Sequence, residues 1–223
     1  MGGMGLMDFS MFKGAKILVT GSTGFKGSWL CTWLNALGAD VSGFALPPKP
    51  DAPLFDQLKL RERIKQYDAD IRDIEAIKKV LNEVKPKIVF HLAAQALVRY
   101  SYDEPKLTFD TNVLGAVNLL EAIRVIDSVK SLVFVTSDKC YWNKEWVWGY
   151  RESDELGGHD PYSASKAAAE LVFSSYQDSF FQKEAKVQAA SARAGNVIGG
   201  GDFSMDRIVP DCIRALGSGE EIV

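Results

Sequence analysis

Short apolar runs alternate along this chain with stretches in which apolar residues return every three or four positions. The first run, Lys16-Ile17-Leu18-Val19-Thr20, is rich in β-branched residues and short, so it predicts a strand buried on both faces. Trp29, Leu30, Trp33, Leu34 and Leu37 follow at helical spacing, and Gly38 suits the end of that helix. Asp40–Ala45 predicts a second strand, and Gln66–Asp73 contains a short third one ending at Asp70. Asp73 stands where an N-cap belongs, ahead of Ile74, Ile77, Val80, Leu81 and Val84 on one helical face. Lys87–Leu92 predicts a fourth strand, Pro105–Ile126 a long helix, Leu132–Val135 a fifth strand, and Pro161–Phe181 a second long helix with proline in its first turn. Strands alternating with helices predict an α/β fold with a doubly wound parallel sheet.

Between the first strand and its helix lies Gly21-Ser22-Thr23-Gly24-Phe25-Lys26-Gly27, with a glycine at every third position. Gly21 suits a tight turn, Gly24 lets backbone approach a pyrophosphate, and Gly27 lets the helix lie close on the strand. The helix N-terminus adds unpaired N–H groups and a partial positive charge. Strand, glycine turn and helix together predict the phosphate-binding end of a Rossmann unit. In that fold an Asp or Glu usually ends the second strand and binds the adenosine ribose. Here Ala45-Leu46-Pro47-Pro48-Lys49-Pro50 follows instead, so neither an acid nor a basic pair marks the position.

The chain has 223 residues, 47% of them hydrophobic, enough to bury one sizeable core. A net charge of −3 leaves no electrostatic footprint for nucleic acid. No apolar run is long enough to span a bilayer, so no membrane partner is expected. Residues 1–13, rich in Met and Gly, carry neither a basic leader nor a long apolar core and are expected to form a flexible tail. Cys31, Cys140 and Cys212 are odd in number and scattered, which suits a reducing, cytoplasmic setting. With only His91 and His159 and no paired cysteines, no metal site is expected.

Polar residues gather where the predicted strands end. Ala93-Ala94-Gln95 follow the fourth strand, where small side chains admit a ligand. Thr136-Ser137-Asp138-Lys139 follow the fifth, ahead of a loop carrying Tyr141, Trp142, Trp146, Trp148 and Tyr150. Those rings either pack over a core edge or form one wall of a site. Tyr162 and Lys166 are four apart, hence neighbours on one helical face. A tyrosine must lose its proton to act as a base, and its ordinary pKa is about 10. An ammonium about 4 Å away contributes roughly 4 kcal/mol at an effective dielectric of 20, enough to lower that pKa by up to about three units.

The glycine turn, Ser137 and the Tyr162/Lys166 pair form a narrow combination. With Gly24-Phe25-Lys26-Gly27-Ser28-Trp29-Leu30, His91-Leu92-Ala93-Ala94-Gln95, Ser137-Asp138-Lys139-Cys140-Tyr141, residues 145–152 and residues 193–202, the chain resembles the extended short-chain dehydrogenase/reductase family of sugar-nucleotide enzymes. The resemblance covers nearly everything after Lys13. It implies a 4,6-dehydratase with internally recycled NAD that acts on a nucleotide sugar, CDP-glucose, in deoxysugar biosynthesis of the O-antigen type. The Asp138-Lys139 pair separates the chain from dTDP-glucose dehydratases, which carry Asp-Glu there. Implied cofactor contacts are Gly21, Thr23, Gly24, Phe25, Lys26, Gly27, Asp70, Ile71, Leu92, Ala93, Ala94, Asn112, Tyr162 and Lys166. Asn112 is implied to act by supporting the catalytic loop through backbone contacts.

The implied catalytic set is Ser137, Asp138, Lys139, Tyr162 and Lys166. Tyr162 takes the 4-hydroxyl proton, Asp138 serves as acid for the leaving C6 hydroxyl, and Lys139 is either the C5 base or an electrostatic clamp. As a base Lys139 must be neutral, which calls for burial or nearby positive charge. On a strand end Asp138 and Lys139 are expected to point apart. Gln95, Ser137, Asn196 and Arg207 are the candidate substrate contacts. Residues 14–200 are expected to form the NAD-binding domain, and 201–223 the start of a smaller substrate-binding domain that family members continue past that point. A homodimer or dimer of dimers is implied, through the two long helices. Two other readings stay open: an epimerase or reductase of the same family, and a non-catalytic protein that senses a dinucleotide.

Overall fold

The apolar runs lie side by side. In the computed structural model, which describes residues 8–183 and 186–222, strands β1 (Lys16–Thr20), β2 (Asp40–Ala45), β3 (Lys65–Asp68), β4 (Ile88–His91), β5 (Ser131–Val135) and β6 (Gln188–Ala192) form one sheet. Their order is β3-β2-β1-β4-β5-β6 and every pairing is parallel. This is the doubly wound order of dinucleotide-binding sheets, with the switch point between β1 and β4. Register aligns Thr20 with Phe44 on one side and His91 on the other, and His91 with Phe134, so the carboxyl ends of four strands lie level.

Among the described residues eight α-helices accompany the sheet: α1 (Phe25–Ala36), α2 (Leu54–Gln57), α3 (Ile74–Val84), α4 (Val98–Asp103), α5 (Pro105–Phe109), α6 (Gly115–Arg124), α7 (Pro161–Tyr176) and α8 (Ile208–Ser218). Apolar positions at helical spacing bury one stripe of α1, α3, α6 and α7, whereas α8 buries none of its residues. Ile77, Val80 and Leu81 of α3, Leu119, Leu120 and Ile123 of α6, and Phe173 of α7 join Leu18, Phe44, Val89, Leu132 and Phe134 on one face of the sheet. Cys31 and Leu34 of α1 meet Ile17, Val19 and Val41 on the other, with Phe55, Leu60 and Ile64 closing that smaller core. Gln188, Ala190 and Ala192 of β6 remain exposed.

Several boundaries differ from the sequence expectation. The third strand ends at Asp68, not Asp70, because the Asp70 carboxylate accepts the Arg72 N–H and guanidinium and turns the chain out of the sheet. The helix expected over Pro105–Ile126 is α5, a π-helical turn (Asp110–Leu114) and α6 in succession. The wide turn holds Asn112, whose buried amide must find partners outside the helix. The helix from Pro161 likewise passes into a π turn at Gln177–Phe181. Strand β6 and helix α8 had no place in the sequence reading, and Gln188-Ala189-Ala190-Ser191-Ala192 has no β-branched residue to mark it. Asp73 caps α3 as expected, accepting the N–H groups of Glu75 and Ala76. Of the expected tail, residues 1–7 lie outside the described residues. Ser10–Phe12 form a single helical turn, and the Phe9 ring meets Trp33 edge-on at 5.3 Å.

His91 at the end of β4 is a buried group with a definite protonation state. The Thr20 hydroxyl lies 2.7 Å from His91 Nδ1 and also receives the N–H groups of Leu92 and Ala93 at 3.2 Å. With its oxygen accepting from two amides, Thr20 donates to Nδ1, which leaves the ring proton on Nε2. Burial first, and the Lys166 charge second, push the His91 pKa down to about 3. The unfolded chain protonates its histidine near pH 6.5, so this contribution to stability is complete above that pH and shrinks as pH falls toward 3. Between pH 7 and pH 5 the native protein should lose about 2 kcal/mol more than a His91→Asn variant, read from urea unfolding midpoints. Equal losses in the two would show that His91 does not titrate on unfolding.

Candidate active site

The site is built at the level carboxyl edge of the sheet. Gly21, at φ +72, makes the tight turn after β1, and a Cβ there would lie 2.7 Å from the Ala93 nitrogen. A Cβ on Gly27 would lie 2.0 Å from the Gly21 carbonyl oxygen. Both glycines therefore stand where backbones approach too closely for a side chain, as the spacing predicted. Helix α1 begins after Gly24 without a side-chain cap, so its first-turn N–H groups face the cleft unpaired by any side chain. Opposite them run residues 195–201. Phe25, Lys26, Trp29, Val197, Ile198 and Gly200 border a cleft of about 400 Å³, and the Trp29 indole donates to the Gly200 carbonyl at 2.9 Å.

One cation, Lys26, lines this space, and two more are coupled to it. Lys26 is held below the ordinary lysine range by burial first and by the Arg207 charge second. Lys166 is 7% exposed; burial, then the Lys26 charge, brings its pKa down to about 8, against the pull of Glu170. Arg207, at the N-cap of α8, reaches the Ala96 carbonyl at 3.4 Å and bears on both Lys26 and Tyr162. Cations crowded together lower one another's pKa, and an anionic ligand between them would relieve that repulsion.

Ser137 caps the 3₁₀ turn Asp138–Cys140, its hydroxyl accepting the Lys139 N–H at 3.2 Å. The same hydroxyl donates to Asp138 Oδ1 at 3.1 Å, and Ser137 acts on Tyr162 in the direction that favours the phenolate. The expected effect of Lys166 on Tyr162 is not found. Burial raises the Tyr162 pKa above its ordinary value, and the opposing influences are Ser137 and the Arg207 charge. Asp138 and Lys139 also differ from expectation. Their place on a tight turn rather than an extended strand end brings Lys139 Nζ to 3.9 Å from Asp138 Oδ2. Lys139 is 52% exposed and paired with a carboxylate, so neither the burial nor the neighbouring cation named for its neutral form is present.

Other candidates are used differently. The Gln95 side chain is consumed by its own loop: Nε2 donates to Leu97 O and Thr108 Oγ1, and Oε1 accepts the Leu97 N–H. It is therefore not free to contact substrate. Asn112 binds the Gln95 backbone in both directions and donates to Ser165 Oγ at 2.8 Å, which ties the loop after β4 to α7 rather than touching the cleft. Thr23 donates to Leu46 O at 2.9 Å. Asp70 is forked by Arg72, which holds its carboxyl below the usual range. Ile71 is buried in the core, Leu92 and Ala93 present backbone beside Gly21, and Ala94 is half-buried on the same turn. Asn196 is exposed on the loop bordering the cleft. The sequence reading missed Glu170, buried beside the Ser137 turn, and gave no role to Thr136 or Arg193. Helical spacing from Lys166 was the one available sign of Glu170.

Three kinds of likeness bear on these residues. A family model described as GDP-mannose 4,6 dehydratase matches residues 18–208. CDP-glucose 4,6-dehydratase of Salmonella typhimurium is 47% identical over 98% of this chain, which spans 62% of that protein's length. CDP-paratose 2-epimerase of Salmonella typhi is 30% identical over 72% of this chain and 52% of its own. Among solved structures, a dTDP-glucose 4,6-dehydratase of Streptomyces venezuelae with NAD bound superposes with a TM-score of 0.79 at 25% identity, covering 91% of this chain and 62% of its own. UDP-glucose 4-epimerase of Thermus thermophilus, in complex with NAD, gives 0.68 at 32% identity, over 82% and 56%.

The close approach at Gly27 is directly testable. Gly27→Ala should lower the thermal midpoint by roughly 3–10 °C, the cost of overpacking a tight contact in a chain of this size. Gly149→Ala, where a Cβ would meet nothing within 4 Å, should leave the midpoint unchanged. An unchanged midpoint in Gly27→Ala would mean that the turn has room to relax.

Proposed function

The chain belongs to the GDP-mannose 4,6-dehydratase family, and on that premise we propose that it is the catalytic part of a CDP-glucose 4,6-dehydratase. The reaction converts CDP-D-glucose to CDP-4-keto-6-deoxy-D-glucose with loss of water. The observation that carries this reading is the Ser137–Lys139 turn. It puts a carboxylate and an amine 3.9 Å apart next to Ser137, whose influence on Tyr162 favours the phenolate. An epimerase or reductase has no use for this extra acid–base pair, and a protein that only senses a dinucleotide needs neither it nor Tyr162.

NAD fits the residues present. The Cβ-free approach at Gly21 and Gly27 and the uncapped start of α1 suit its pyrophosphate, with Phe25 and Lys26 in the first turn. Lys166 suits the ribose beside the nicotinamide, and the cations around the cleft suit an anionic ligand. When bound, NAD supplies acceptance and later return of one hydride, so it is not consumed. Tyr162 takes the proton of the sugar 4-hydroxyl while Ser137 holds the oxygen. Once C4 is a ketone, the C5 proton is acidified; Lys139 serves there either as the base, after passing its own proton to the paired Asp138, or as an electrostatic clamp, and Asp138 protonates the departing C6 hydroxyl. Arg207 and Asn196 serve the nucleotide-sugar diphosphate, where a planar guanidinium suits paired oxygens.

The division of the chain belongs to the same proposal: residues 14–200 form the NAD-binding domain and 201–223 begin the substrate domain. Exposed Leu114 and Leu171, on the long helical segments, favour a homodimer or dimer of dimers. No helix among the described residues is long and apolar enough to cross a membrane. The three free cysteines agree with a cytoplasmic place for the protein.

Incubation of the full-length protein with CDP-glucose and NAD should yield a 4-keto sugar, seen by its absorbance in alkali; absence of that product overturns the assignment. Lys139→Met should still oxidise C4 but stall before elimination, so that reduced nicotinamide accumulates in a single turnover. Turnover at the native rate would make Lys139 a spectator.

A further inference from the structure

A buried ion pair stands beside the catalytic turn without touching the cleft. Glu170 on α7 is 1% exposed, and Arg193, one residue past β6, is 17% exposed. The guanidinium grips the carboxylate with two bonds, Nε to Oε1 at 2.9 Å and Nη2 to Oε2 at 3.0 Å. Burial alone would push Glu170 up; the bonds from Arg193, Thr136 and Ser191 more than offset this and keep it ionised. A buried pair of this kind gives little net stability compared with apolar residues of the same size. Its cost points to some use other than stability.

The remaining bonds of the pair show what it holds. Thr136 Oγ1 donates to Glu170 Oε1. Arg193 Nη1 donates to the Tyr141 hydroxyl at 2.8 Å and to the Glu152 carbonyl at 3.2 Å, and its guanidinium lies 4.9 Å from the centre of the Tyr141 ring. Thr136 is the residue before Ser137, and Tyr141 is the residue after Cys140. Both shoulders of the turn that carries Ser137, Asp138 and Lys139 are thus fastened to one ion pair. Backbone bonds hold both sides as well, Thr136 N to Ala192 O and Asp138 N to Ala194 O before the turn, Gly157 N to Cys140 O and Trp142 N to Glu155 O after it, so the ion pair adds side-chain fastening to a turn whose backbone is already anchored. Glu170 is one helical turn beyond Lys166 and two beyond Tyr162, on the same stripe of α7. A bidentate fork fixes rotation as well as distance, which a single contact does not.

We propose that Glu170 and Arg193 are positioning residues that hold the Ser137–Lys139 turn in register with Tyr162 and Lys166. The groups working at C5 and C6 then meet the same sugar ring that Tyr162 serves at C4. This inference rests on the dehydratase reading. Misplacing a reacting group by about 1 Å can cost up to about a hundredfold in rate, and Arg193 fastens the Tyr141 shoulder while Thr136, beside Ser137, stays on Glu170, so loss of the Arg193 fork bears on elimination more than on oxidation.

The test uses the full-length protein and Arg193→Lys, which keeps the buried charge paired but cannot form the fork and reach Tyr141 together. NAD affinity should stay within about twofold and C4 oxidation within about threefold, while elimination slows at least about tenfold and reduced nicotinamide builds up. Rescue of elimination by lysine, or an equal slowing of both steps in line with a lowered thermal midpoint, would overturn the proposal and leave the pair a structural one. Tyr141→Phe, which leaves the ion pair intact and removes one shoulder bond, should show the same selective slowing in weaker form, and unchanged elimination there contradicts the proposal. Amide hydrogen exchange separates this from failure of the dehydratase reading. If the native protein forms no 4-keto product from CDP-glucose, that reading fails. The Asp138 and Tyr141 amides of Arg193→Lys should still lose protection while that of Phe90 in β4 keeps it. Retained protection at Asp138 and Tyr141 sinks the positioning role whatever the activity.

Discussion

At Gly21 the turn after β1 and the turn after β4 touch backbone to backbone, and the cleft is built outward from that contact. No side chain fits between them, since a Cβ would lie 2.7 Å from the Ala93 nitrogen. Gly27 repeats the condition one helical turn further on and brings α1 down onto the same turn. Closing these gaps leaves the helix N-terminus facing the crevice between β1 and β4, where an open parallel sheet changes direction and binds its ligands. Thr20, at the end of β1, secures the arrangement by binding both His91 and the amides of Leu92 and Ala93.

The polar side of the cleft follows from the level strand ends. Register brings β4 and β5 to the same height, so the loops they release meet over α7. Asn112 ties the first loop to Ser165, and Glu170 with Arg193 ties the second through Thr136 and Tyr141. Tyr162 and Lys166 lie on the one helix against which both loops are braced. Their protonation states are set more by burial than by each other: the phenol is raised and the lysine lowered to about 8. A site poised in this way depends on Ser137, Arg207 and the bound ligand to favour the phenolate.

Much of this was legible in the chain. The glycine spacing, the five apolar runs and the capping aspartate Asp73 are local signals, and local signals survive folding. The Tyr162/Lys166 pair and the Asp138-Lys139 dipeptide were visible for the same reason. Less legible were features that depend on what a side chain meets across the fold. Gln95 reads as a ligand because it is a polar residue at a strand end, yet its own loop consumes every polar atom of the side chain. Asn112 bends its helix into a π turn because its partners lie on another segment. Strand β6 carries no strand-favouring residues, and its place is set by pairing with β5. The charge on Glu170 is intelligible only once Arg193, distant in sequence, is seen against it.

The central claim is that this cleft holds a dinucleotide with Tyr162 and Lys166 at its reacting end. Calorimetric titration of the 223-residue chain with NAD, and separately with NADP, tests it most directly. The account predicts saturable binding of one NAD per chain and weaker binding of NADP, since no basic pair follows Ala45. Absence of heat with NAD, or tighter binding of NADP, would contradict it.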